Sequence, residues 1–304
     1  MIGWRGWALL LVIILLGAWL RWTALASDGR FHPDEALFAT FARRAALNGD
    51  WLLPGALDKP PLSIYAMTIA MMPFTETRPD GLPDLTTRGG EIAARLPGAL
   101  ASLLLIPLVY ALARRVYADK FTALVPAALI AVSPFAVGYS ATAFSDGMLL
   151  LWLTAALYTA VSQRWGWTGA CMALAFASKQ QALFYLPLVM TIGLLTQRRG
   201  EHRDGERDTG GRPSGASLQN FFASFVPLRF NSPPLSFLLT FGVGVALLIL
   251  WDTARGQPTG FFALGIANND PARLIRSDEL VPRLTTWASH TTTLLAPATI
   301  PLML

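Results

Sequence analysis

The charged residues of chemical interest stand at the edges of apolar runs. Phe31 is followed by His32-Pro33-Asp34-Glu35, then by Ala36 to Leu47 and Asn48-Gly49. A carboxylate that is partly desolvated beside such a run binds protons more tightly and can serve as a general base. Leu57-Asp58-Lys59-Pro60-Pro61 leads into a second apolar run, Phe144-Ser145-Asp146-Gly147 opens a third, and Ser178-Lys179-Gln180-Gln181 separates two more. A lysine so placed offers a point charge to a phosphate. Asp34, Glu35 and Asp146 are therefore the candidate catalytic carboxylates, and Lys59 and Lys179 the candidate phosphate-binding cations. Each also has a plainer reading. Asp34 and Glu35 would complement a helix dipole, worth about 0.3–1 kcal/mol each. Asp146 would cap the helix that starts beside it. Both lysines would snorkel to water, although ionisable groups at such depth tend to mark function.

These side chains need elements to hold them. Pro33 stands like an N1 proline and Asn48-Gly49 like a C-cap pair, so 33–47 is expected to be a helix. Asp34 and Glu35 would sit at its positive end, with Arg43 and Arg44 in its last turn. Of the 304 residues, 53% are hydrophobic and only 14% charged, against about 25% charged in soluble domains. With a mean hydropathy of +0.45, the chain is neither an ordinary soluble globule nor disordered. Its net charge of +5 falls in the gaps between apolar runs. Basic loops facing anionic lipid account for that better than nucleic-acid binding does. The single cysteine, Cys171, lies inside an apolar run, which excludes an intramolecular disulfide and a Cys-based zinc site.

A bilayer-crossing helix needs about 20 mostly apolar residues. Runs 7–20 (extended to Leu25), 96–113, 121–138, 147–161, 181–196, 235–251 and 286–304 approach that, while 61–74 and 166–178 are marginal. With 61–74 at the interface, 166–178 crossing and a cytoplasmic N-terminus, eight spans result. Leaving out the long loop 21–95, eleven Lys and Arg then lie on the cytoplasmic side against five outside, as the positive-inside rule asks. The external segments are 21–95, 139–146 and 252–285, and Asp34, Glu35, Lys59, Asp146 and Lys179 share that face. If 61–74 crossed, Asp34 and Asp146 would lie on opposite sides. The first run also resembles a signal peptide ending at Ala24-Leu25-Ala26, but Trp19, Arg21 and Trp22 beside that site argue for its retention as a span. The expected fold class is all-α: a polytopic transmembrane helical bundle with interfacial helices in the first external loop.

No internal repeat, P-loop, dinucleotide fingerprint, His-Glu-x-x-His or nucleophile elbow is present. Carboxylates and lysines gathered at one membrane boundary suit a phosphate-bearing, lipid-attached substrate. A transporter or flippase of lipid-linked sugars is the alternative. Such proteins often carry inverted repeats and broken helices at the midplane, whereas these charges lie at one boundary.

The motifs then resemble a family. His-Pro-Asp-Glu-Ala (32–36), Asn-Gly-Asp-Trp (48–51), Asp-Lys-Pro-Pro-Leu (58–62), Arg-Leu-Pro-Gly-Ala-Leu (95–100), Ser-Pro-Phe (133–135), Phe-Ser-Asp-Gly (144–147) and Ala-Ser-Lys-Gln (177–180) occur in that order. The series is similar, over about residues 7–196, to that of the GT-C fold glycosyltransferases that use polyprenyl-phosphate sugars, in the branch of protein O-mannosyltransferases and aminoarabinose transferases. The resemblance implies inverting transfer of a sugar to a lipid, glycan or protein acceptor at the non-cytoplasmic face of a bacterial plasma membrane. It implies Asp34 as the catalytic aspartate with Glu35 as neighbour, Lys59 and Lys179 at the donor phosphate, and Asp146 as the second-loop acid. On this reading 1–196 is the catalytic transmembrane core, 197–233 a flexible basic cytoplasmic loop and 234–304 further spans.

Two departures stand out. The glycine usual after the second lysine is replaced by Gln180-Gln181. Members of the family generally continue through further spans, whereas this chain stops at Leu304 inside an apolar run, so a longer protein or an inactive truncated scaffold is a further expectation. Some relatives bind a divalent metal. Here His32 and the nearby acids make no recognisable ligand set, and the cofactor stays open.

Overall fold

The computed structural model describes residues 4–208, 235–268 and 280–289, apart from positions 28, 57, 118, 120, 258 and 287. The expected span 286–304, most of the loop 197–233 and the loop cations Lys120, Arg212, Arg229, Arg273 and Arg276 therefore fall largely outside the described residues. The described residues are mostly helical. Helix α1 (Trp4–Ala26) is followed by α2 (Pro33–Asn48), α3 (Pro61–Met71) and a small antiparallel hairpin of β1 (Thr75–Thr77) and β2 (Pro83–Leu85). Then come α4 (Thr87–Val116), α5 (Leu124–Val132), α6 (Pro134–Ser140), α7 (Asp146–Val161), α8 (Trp165–Ser178), α9 (Leu186–Asp208), α10 (Leu235–Ala254) and α11 (Phe261–Asn268).

Three described helices are long and apolar enough to cross a membrane: Gly6–Ala26, Thr87–Val116 and Leu235–Ala254. The other expected spans depart from a single long rod. The run 121–138 is split into α5 and α6 at Ser133-Pro134, because Pro134 has no N–H to continue the ladder. The Ser133 hydroxyl instead accepts from the Ala136 amide at 3.3 Å and starts the next helix. Helices α7 and α8 have 16 and 14 residues, about 24 and 21 Å at 1.5 Å per residue. Helix α9 opens after a 3-10 turn, Gln180–Tyr185, and runs past position 196 to Asp208, into the segment expected as a loop.

Helix α4 organises the bundle. Its 30 residues make about 45 Å, half again the thickness of a hydrocarbon core. It packs against α1, α3, α5 and α7. The segments expected on one side, 21–95, 139–146 and 252–285, do meet at one end: a single cleft takes residues from the first two, and Phe261 reaches the same place. The helix expected over 33–47 spans Pro33–Asn48, with Pro33 in the first turn and Gly49 ending it at φ 75°. Residues 61–74 form α3 and a short 3-10 turn packed against α2, α4 and α8.

Two glycines let α4 and α7 approach at the level of the cleft. A Cβ on Gly98 would stand 2.9 Å from the Thr142 carbonyl oxygen, and one on Gly147 would stand 3.3 Å from the Gly98 carbonyl oxygen. The Arg-Leu-Pro-Gly and Ser-Asp-Gly motifs are thus the two halves of one contact.

The break between α5 and α6 is stitched by Arg21, a fully buried arginine on α1. Its guanidinium donates to Ile130 O and Ala131 O at 3.0 Å each, to Gly17 O at 3.1 Å and to Ser102 Oγ at 2.9 Å. Ile130 O is the carbonyl that residue 134 would have served had it not been proline. Arg21→Ala should orphan these acceptors and lower stability by about 2 kcal/mol or more, read as a lower melting temperature of the purified protein in detergent.

Candidate active site

The local fold of 29–36 is governed by Glu35. His32 is the N-cap of α2; its Nδ1 accepts from Asp34 N at 3.2 Å, while Glu35 Oε2 accepts from His32 N at 2.8 Å. This reciprocal pair is a capping box with histidine in the usual Ser/Thr place. Glu35 Oε1 accepts from Ala143 N at 2.7 Å and pairs with Arg95 Nε at 3.4 Å, both side chains being buried. Arg95 also donates to Gly29 O at 3.0 Å and lies 4.6 Å over the Phe31 ring. Glu35 was expected beside Asp34 as a second catalytic carboxylate. Its oxygens are instead taken up in joining α2, α4 and the turn before α7, and it does not line the cleft.

Asp34 is oriented by that same cap, with its side chain two-thirds exposed. It looks into an open cleft of about 340 Å³ whose charged lining is Asp34, Asp58, Lys59, Asp146 and Lys179. Four of the five expected site residues therefore converge, joined by Asp58. Lys179 Nζ stands 2.7 Å from Asp146 Oδ1. Asp146 is the first residue of α7 and the Ser145 N-cap makes no side-chain bond, so the acid is aimed across the cleft. Lys59 Nζ stands 3.4 Å from Asp58 Oδ2 and 5.9 Å from the centre of the Phe38 ring. Each ammonium has three donors, of which these pairs take one apiece.

One wall of the cleft is aromatic: Tyr139 and Phe144 line it, and Phe144 packs 5.6 Å from His32. Another wall is closed from the C-terminal side. Gln180 Nε2 donates to Asp58 O at 3.4 Å and Phe261 O at 3.3 Å. Nearby, Trp251 Nε1 donates to Tyr65 OH at 2.8 Å, and Tyr65 OH donates in turn to Trp51 O. Arg255, buried 4.4 Å over the Trp251 ring, donates to Leu53 O. Burial pushes the Arg255 guanidinium below its ordinary pKa, while Asp252 and then Tyr65 oppose the shift. Around α2, Arg43 holds Asp84 at 2.9 Å and Arg44 holds Asp50 at 3.0 Å. The backbone N–H of Leu85 holds the Asp84 carboxyl below the usual range; desolvation opposes this, and Arg43 and Arg78 add to the lowering. Arg95 and Gln180 are the site-positioning residues that residue-type reasoning passed over. The signal for Arg95 was a charge in an otherwise apolar stretch; for the partners of Gln180, over eighty residues away at Phe261, there was none. Among the described residues no group of three His, Cys, Asp or Glu side chains converges as a metal site.

Comparison with known proteins adds partial similarities. Residues 84–203 match the family model described as dolichyl-phosphate-mannose-protein mannosyltransferase. An undecaprenyl phosphate-alpha-4-amino-4-deoxy-L-arabinose arabinosyl transferase of Pectobacterium carotovorum is 27% identical over 205 residues, 62% of this chain and 34% of that protein. Its namesake in Pseudomonas paraeruginosa is 27% identical over 210 residues, 64% of this chain and 35% of that protein. The transferase numbered 2 in Proteus mirabilis is 28% identical over 180 residues, 53% and 30% of the two chains. The chain spans about a third of the length of these curated relatives. No solved structure matches it. The matched segment holds Arg95, Asp146 and Lys179, whereas Asp34, Glu35 and Lys59 precede it.

The buried pair makes a direct prediction. Glu35→Ala leaves Arg95 buried and unpaired and should cost about 3–5 kcal/mol. Adding Arg95→Met should recover part of that loss. Melting curves of the two variants in detergent check both outcomes, and equal stability of the double and single variants would contradict the pairing.

Proposed function

We propose, from a match of residues 84–203 to the family model described as dolichyl-phosphate-mannose-protein mannosyltransferase, that the chain is part of a membrane glycosyltransferase with a polyprenyl-phosphate sugar donor. The acceptor is a hydroxyl on a lipid, glycan or protein, the transfer inverts the anomeric centre, and it takes place on the non-cytoplasmic face. The observation that carries this reading is the convergence of Asp34, Asp146, Lys59 and Lys179 on one cleft. The sorting of loop cations, with the arginine-rich loops at the other end of the chain's spans, supports the face.

In the proposed step the acceptor oxygen forms a bond to the anomeric carbon as the bond from that carbon to the phosphate oxygen breaks. The bonding electron pair leaves with the polyprenyl phosphate, and the acceptor proton passes to Asp34. Asp34 suits this role because it is the exposed member of its pair, its backbone N–H donating to His32 Nδ1 and its carboxylate standing 3.7 Å from the same nitrogen. Lys59 and Lys179 meet the charge that grows on the departing phosphate. Preorganised charge of this kind is usually the largest single contribution to such catalysis. Asp146 holds Lys179 at 2.7 Å and thereby fixes where the phosphate sits.

Asp34→Asn should retain donor binding and lose transfer by about 10²–10⁴-fold. Purified protein incubated with a labelled undecaprenyl-phosphate sugar and an acceptor lipid extract checks this through release of undecaprenyl phosphate. Turnover near that of the unmodified protein would remove Asp34 from the role. A flippase would leave the donor intact in the same assay.

A further inference from the structure

We propose that Gln180, seated against Gly265 of α11, is the positioning residue that sets the spacing of the two phosphate-binding lysines. The inference rests on the donor reading above and names a device within that site. Lys179 is the extended residue between α8 and the 3-10 turn, at φ −159° and ψ 129°. Nothing in that local conformation holds it at a fixed distance from Lys59, which belongs to a different loop. Gln180 supplies the link. Its amide donates 3.4 Å to the carbonyl of Asp58, the peptide group that leads directly into Lys59. One side chain therefore joins the residue after one lysine to the residue before the other.

The same amide donates 3.3 Å to Phe261 O at the start of α11. Helix α11 is itself fixed there, because Asp252 Oδ1 accepts from Phe261 N at 2.8 Å. One turn further on, a Cβ added to Gly265 would stand 2.5 Å from Gln180 Nε2 and 2.8 Å from its amide carbon. A side chain at 265 would therefore push the amide from this position. Two carbonyl oxygens meeting one NH₂ group also fix its orientation, since the amide oxygen would repel both. The family resemblance places glycine at the position of Gln180, and a glycine has no side chain to span this gap. Gln180 lies inside the matched segment 84–203 and α11 outside it.

The test measures affinity of the full chain in detergent for undecaprenyl phosphate alone, together with KM and kcat for the labelled donor. Q180M keeps the volume of the side chain, adds no charge and removes both donors. Loss of two hydrogen bonds should weaken the Kd for undecaprenyl phosphate about tenfold. KM for the donor should rise in parallel while kcat changes less than about threefold. G265A should weaken the unmodified protein to the same extent, because its methyl displaces the amide. In a Q180A background the same G265A change should cost nothing further, since the methyl then occupies vacated space. Unchanged affinity in Q180M, or a G265A penalty that persists in Q180A, overturns the brace. Absence of undecaprenyl phosphate binding by the unmodified protein overturns the donor reading and the brace with it. Binding by the unmodified protein without transfer leaves the brace measurable and rejects only the reaction.

Discussion

Everything at the cleft hangs on a carboxylate that does not face it. Glu35 joins three separate pieces of chain: the start of α2 through the His32 amide, α4 through Arg95, and the turn before α7 through the Ala143 amide. Removing an ion pair from water costs several kcal/mol per charge, so such a pair is tolerated only when the remaining lone pairs and donors are met. Here they are met by two backbone amides on the acid, and by the Gly29 carbonyl and the Phe31 ring on the arginine. The arrangement fixes the register of α2 against α4. Asp34, the next residue back, then has little choice of direction.

The constraint extends through close backbone contact. Once Glu35 holds Ala143, the Ser140–Thr142 turn lies against Gly98, and Gly98 against Gly147. Gly147 follows Asp146, so the acid that holds Lys179 is set by the same contact that packs α4 on α7. Asp34 and Asp146, 112 positions apart in the chain, are in this way referred to one element. The lysine side of the cleft has no comparable anchor in α4. It depends on the turn before Pro60 and on the residue that ends α8, and on side chains that cross between them.

Much of this was legible in the residues. Proline at 33 and glycine at 49 bounded α2 to within a residue, and the apolar runs located the helices. Grouping Asp34, Lys59, Asp146 and Lys179 on one face required only the span count with 61–74 left uncrossed. What the residues concealed has physical causes. Adjacent carboxylates in a capping sequence look alike on paper, but position N3 of a helix turns back toward the N-cap amide while its neighbour points outward. The spacing alone could not say that Ala143 and Arg95 would be waiting for Glu35. The length of the spans was overstated for 121–138, where a serine-proline step lies within an unbroken hydrophobic run. Hydropathy records the run and is blind to the missing N–H.

The paired lysines resolve an apparent conflict in the site's charge. The cleft carries three carboxylates and two ammonium groups, an odd composition for a place proposed to attract a phosphate. Two of the carboxylates, Asp58 and Asp146, stand against Lys59 and Lys179 at 3.4 and 2.7 Å. They act on the lysines before they act on any ligand, holding long flexible side chains whose ordering would otherwise cost up to about 2 kcal/mol each on binding. An ammonium that already donates once keeps further donors for phosphate oxygens. The excess negative charge is then concentrated on Asp34 alone. On the proposed reading Asp34, two-thirds exposed with its carboxylate 3.7 Å from His32 Nδ1, takes a proton on the side of the cleft opposite the two lysines. That division between the two sides of one cleft follows from which acid each lysine reaches first.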